Sequence, residues 1–92
     1  MDREWSGLPG ADLIAAGIAD LESGIESIPA LLVAIGAPRL SSLGLVIPDT
    51  LADPEHRLYA RLAGDEPDAV HARYNALIRR LVSFERALAC AS

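Results

Sequence analysis

Asp53 and His56, and fifteen residues later Asp68 and His71, are the residues whose types and spacing suit metal chemistry. A carboxylate and an imidazole three positions apart face the same way on a helix, so each pair offers two ligands of the kind zinc accepts. Antiparallel packing of two such helices is expected to bring the pairs together. The spacing belongs to a longer echo, in which Asp53, His56, Tyr59 and Leu62 reappear as Asp68, His71, Tyr74 and Leu77. Acids at a helix start also have a structural reason to be there, because the helix dipole favours them. Two copies are too few for a repeat array. His71 borders an apolar arc, where a hydrogen-bonded core histidine is the simpler reading.

Glu85 is the acid most at odds with its surroundings. On a helical wheel it falls between Leu81 and Ile78, inside an apolar arc, where an unpaired carboxylate is costly. It is expected to have a cationic partner, with Arg39, Arg57 and Arg61 as candidates; a general acid or base would occupy a similar setting. No nucleophile motif accompanies it. The chain has no Gly-x-Ser-x-Gly, no cysteine spaced tellingly from a histidine and no glycine-rich phosphate loop. Cys90 is the single cysteine, which rules out an internal disulfide and reads as a small packing residue. The residues therefore point away from an enzyme and call for no cofactor.

All eight basic residues are Arg, set against thirteen acids for a formal net charge of -5. Their placement is uneven. Asp2, Glu4, Asp12, Asp20, Glu22 and Glu26 face only Arg3 in the first 36 residues, whereas Arg73, Arg79, Arg80 and Arg86 face only Glu85 near the other end. The first reading is that the acidic half docks beside the basic last segment. The alternative is an arginine surface for nucleic acid, which the acidic total and the lack of exposed aromatics oppose. A helix-turn-helix comparison over Leu31 to Leu45 is poor, since Arg39, Ser41 and Ser42 are all that segment offers to base edges.

The elements that must position these groups are helices. Apolar residues make up 51% of the 92-residue chain and aromatics only 4%, so the interior has to be built from Leu, Ile, Val and Ala. A chain this short is one domain, 1–92, with 1–10 as an irregular lead-in marked by Gly7, Pro9 and Gly10. Helical periodicity runs from Ala11 to about Ser27, and Gly17 and Gly24 within it imply either a break or a close helix neighbour. Ser27 and Pro29 open a helix ending at Gly36, and Ala37 to Leu43, closed by Gly44, forms another short piece. Leu45, Val46 and Ile47 are an apolar connector rather than a strand. Asp53, as N-cap, and Pro54 start the next helix, with Gly64 as its stop, and Asp65 to Asp68 repeat the logic for a last helix over Pro67 to Ser92. The expected fold is an all-α bundle of four to five helices with a long C-terminal helix.

That last helix carries two packable faces. Val70, Tyr74, Leu77, Ile78, Leu81, Val82, Phe84 and Leu88 form a bulky apolar arc, while Ala72, Ala76, Ser83, Ala87 and Cys90 form a strip of small side chains. Arg79 and Arg86 flank the strip on one side, Arg73 and Arg80 on the other. A second packable face on so short a chain leads to the expectation of a protein interaction module, self-associating as a homo-oligomer, with Ala72, Ala76, Arg79, Arg80, Ser83, Arg86 and Ala87 at the interface. A metal-binding protein or small metal-dependent enzyme, and an arginine-mediated nucleic-acid regulator, are the competing functions. The start of the chain lacks the basic-then-apolar order of a secretory signal, and the longest apolar run is too short and too interrupted to span a membrane. A cytoplasmic location is the resulting expectation.

Overall fold

The computed structural model describes residues 5–48 and 50–91. Asp2, Arg3, Glu4 and Ser92, which figure in the charge and helix expectations above, lie outside them. Four helices and no strand occur among the described residues: α1 (Ala11–Glu22), α2 (Ile28–Ser42), α3 (Pro54–Asp65) and α4 (Val70–Ala91). The all-α expectation with a long last helix holds, but there is no fifth helix among these residues.

The missing helix is explained by α2, which runs through both Gly36 and Pro38 without stopping. Ser27 starts it as expected, its Oγ accepting from the Ala30 amide at 3.1 Å, with Pro29 in the first turn. The Ser27 hydroxyl also donates to Asp20 Oδ2 at 2.6 Å, tying the start of α2 to the end of α1. Gly36 does not act as a stop because it is used for contact. It is buried against α4, and a Cβ there would stand 2.7 Å from Leu81 Cδ1. Pro38 cannot donate to the Ala34 carbonyl, yet the remaining hydrogen bonds and the packing carry the helix past it. The true stop is Gly44, at φ +102, where the Gly44 and Leu45 amides bond back to the Ser41 and Leu40 carbonyls in a Schellman turn.

The same device ends α1 earlier than its periodicity predicts. Gly24 takes φ +73, its amide bonds to the Leu21 carbonyl, and the Ile25 amide reaches Asp20 O at 2.8 Å. Ile25 is thereby turned out and is 51% exposed. The two glycines of α1's periodic stretch thus resolve differently. Gly24 breaks the helix, whereas Gly17 is buried in a close approach, where a Cβ would collide with Pro29 O and Val33 Cγ2 of α2.

In α3, Asp53 stands before Pro54 as expected, but at φ +54 and without a side-chain hydrogen bond to the helix, so it caps through its backbone carbonyl alone. The helix also passes Gly64 by one residue. Residues 67–69 form a turn, so α4 begins at Val70 rather than Pro67, and it then runs 22 residues unbroken.

α2 is the centre of the molecule and touches each of the other three helices. Ala30, Leu31, Leu32 and Val33 are completely buried on all sides of it, as an enclosed helix requires. Leu58 and Leu62 of α3, with Leu81, Phe84 and Leu88 of α4, close the core from the other side. Trp5 of the lead-in meets Phe84 edge to face, with ring centroids 5.4 Å apart.

The two close approaches differ in what lies opposite. At Gly17 the obstacle is backbone; at Gly36 it is the end of a leucine side chain, which can swing aside. Gly17→Ala is expected to lower unfolding free energy by about 2 to 3 kcal/mol in urea titrations, and Gly36→Ala by less than about 1 kcal/mol, because the gain in helix propensity offsets most of the crowding.

Candidate interaction face

The bulky arc of α4 faces inward and the strip of small residues faces out. Ala72, Ala76, Ser83 and Cys90 are exposed and Ala87 is half-buried. No helix among the described residues covers this strip, so among them α4 is sheltered on one side only. Arg79, Arg80 and Arg86 are exposed along its edges. Cys90 stands at the surface rather than filling the interior.

The expected docking of acidic first half on basic last helix occurs only at its margin. α1 packs on α2, not along α4. Among the described residues one ion pair links α1 to α4, Arg80 to Asp12 at 3.5 Å, and both side chains are well exposed at 50% and 86%. Glu26 pairs instead with Arg57 of α3 at 3.1 Å, and Arg73 with Glu66 at 2.9 Å in the turn before α4. Exposed pairs of this kind contribute at most about 1 kcal/mol each, so apolar burial and not charge sets the helix arrangement.

Glu85 lies where α4 crosses α2. Its Oε2 is 3.2 Å from the position a Cβ on Gly36 would take, so the carboxylate sits over the bare backbone of that glycine. Burial holds its carboxyl above the ordinary value of 4.5, while the Arg39 guanidinium pulls the other way. Arg39 is therefore the cation that Glu85 senses; Arg57 is engaged with Glu26. No ion pair with Glu85 closes to within 4.0 Å among the described residues.

The metal expectation fails on geometry. Asp53, His56, Asp68 and His71 are all exposed, and no three His, Cys, Asp or Glu side chains converge around a possible ion among the described residues. His71 is likewise not a core histidine. The echo explains the failure. Tyr59 and Tyr74 do meet across the hairpin of α3 and α4, ring centroids 5.5 Å apart. From that contact His56 and His71 each lie one turn back along its own helix. In antiparallel helices those steps run in opposite directions, leaving the imidazoles about 9 Å apart along the axis. Tyr74 is half-buried, which raises its hydroxyl above 10.0, and Glu55 adds to the effect.

One feature was not foreseen. Trp5, Leu8, Leu43, Gly44, Leu45, Leu88 and Ala91 line an open groove of about 640 Å³ between the lead-in and the ends of α2 and α4. Trp5 and Leu8, set among the glycines and proline of the lead-in, were the sequence signals that this segment docks. No helix among the described residues is long and apolar enough to cross a membrane. Compared with family models, with curated proteins and with solved structures, the chain matches none.

Three outcomes follow from this geometry. A carboxyl with a raised folded pKa stabilises the fold while protonated and loses that contribution as pH rises through the folded value. Glu85→Gln is therefore expected to be more stable than the parent at pH 7, with the difference shrinking as pH falls through the raised folded value and largely gone below the ordinary 4.5; Arg39→Met should move the Glu85 carboxyl titration, followed by NMR, further up. Zinc added to untagged protein is expected to leave Tm unchanged, since a ligand that binds no converged site stabilises nothing.

Proposed function

We propose that this chain is a small helical association module that pairs with a second copy of itself through the outward face of α4, and that it works in the cytoplasm. The observation that carries the reading is the exposed run of small side chains on a helix whose opposite face packs on the core. From Ala72 to Ala87 that run is about 22 Å long. Ala72, Ala76 and Ser83 are exposed along it, and side chains this short let another helix backbone approach closely. A single cysteine at the surface suits a reducing compartment.

Light scattering at submillimolar concentration is expected to give a mass above that of one chain. Ala76→Gln with Ser83→Gln places long uncharged side chains where a single copy has only solvent. The double variant should therefore keep the parent's circular dichroism and raise the dissociation constant about tenfold or more, a loss of about 1.4 kcal/mol. A wild-type chain that stays monomeric, or a variant that associates like the parent, overturns the reading.

A further inference from the structure

We propose that the surface covering α4 is α1 of the second copy, in a two-fold dimer where each copy's α4 lies along the other's α1. The inference rests on the self-association reading and specifies its geometry. Charge decides it. The outward rim of α4 carries Arg79, Arg80 and Arg86, and its one acid, Glu85, is turned toward α2 and Arg39. Two α4 faces set against each other would bring these arginines together at close range, with only Arg80 offset, by its exposed pair with Asp12.

α1 has the opposite character. It contains Asp12, Asp20 and Glu22 and no basic residue, and its outward stripe Asp12, Ala16 and Ala19 is exposed with Glu22 on the rim. Its side chains are short enough for a helix to lie close, and its acids match the arginines in sign. Within one chain this complementarity is almost unused, since among the described residues Arg80 and Asp12 are the one ion pair between α1 and α4.

That contact also locates the symmetry axis. Because Asp12 and Arg80 are 3.5 Å apart and both exposed, the outward side of α1, at its first turn, meets the rim of α4. A two-fold axis beside this pair sets α4 on α1 of the partner and α1 on α4 of the partner at once. Both faces of both copies are then used, and the assembly closes as a dimer.

Charge reversal tests this directly. Arg79→Glu with Arg86→Glu, and separately Asp12→Arg with Glu22→Arg, alter exposed side chains, and circular dichroism should show each variant folded. Each alone is expected to raise the dissociation constant at least tenfold by sedimentation. An equimolar mixture of the two should recover dimers, because both of its α4 to α1 contacts are again opposite in charge. Failure of the mixture to recover ends the proposal. If the Asp12→Arg, Glu22→Arg variant dimerises like wild type while the Arg79→Glu, Arg86→Glu variant pairs with wild type, the contact is α4 on α4; self-association then stands and this geometry falls. A wild-type chain that is monomeric at submillimolar concentration ends both.

Discussion

The arrangement of the molecule follows from the need to enclose α2. Its first half, Ala30 to Ala34, is apolar on every side and carries nothing that can face water. Three neighbours are needed to surround it, and glycines let two of them approach closely. Gly17 lets α1 reach the backbone of α2 near Pro29, and Gly36 lets Leu81 of α4 settle against α2 itself. Once α1 and α4 are fixed on the central helix in this way, neither has much surface left for the other. Their outer faces remain open and their opposite charges largely unpaired.

Helix content, the starts at Ser27 and Pro54 and the inward arc of α4 were all legible from residue types, because local capping chemistry and 3.6-residue periodicity determine them. Glycine was the ambiguous letter. Gly24 and Gly44 end helices, while Gly17 and Gly36 sit inside them. The difference is whether a neighbour needs the space, which depends on tertiary packing and not on flanking sequence. Reading Gly36 as a stop split α2 in two, although the helix runs on through Pro38 as well. A proline inside a helix is tolerated when its neighbours are buried firmly enough to hold the turn, and that too is settled by packing.

The candidate site was legible in the same partial way. The exposed strip and its arginine borders follow from the wheel alone. Glu85 was identified as misplaced from its neighbours, yet only the crossing at Gly36 shows why it is there and why Arg39 is its cation. The paired Asp and His motifs illustrate the opposite case. A repeated spacing is blind to chain direction, and the hairpin that joins Tyr59 to Tyr74 carries the two imidazoles apart.

The edge-on stacking of Trp5 against Phe84 gives the protein an internal optical probe. Trp5 is the sole tryptophan, and it belongs to the lead-in rather than to any helix. Its fluorescence therefore follows the undocking of that segment, while far-ultraviolet dichroism follows the helices. Coincidence of the two signals during denaturation would make residues 5–10 part of a single cooperative unit, and an earlier fluorescence change would make them a detachable flap over the open end of the bundle.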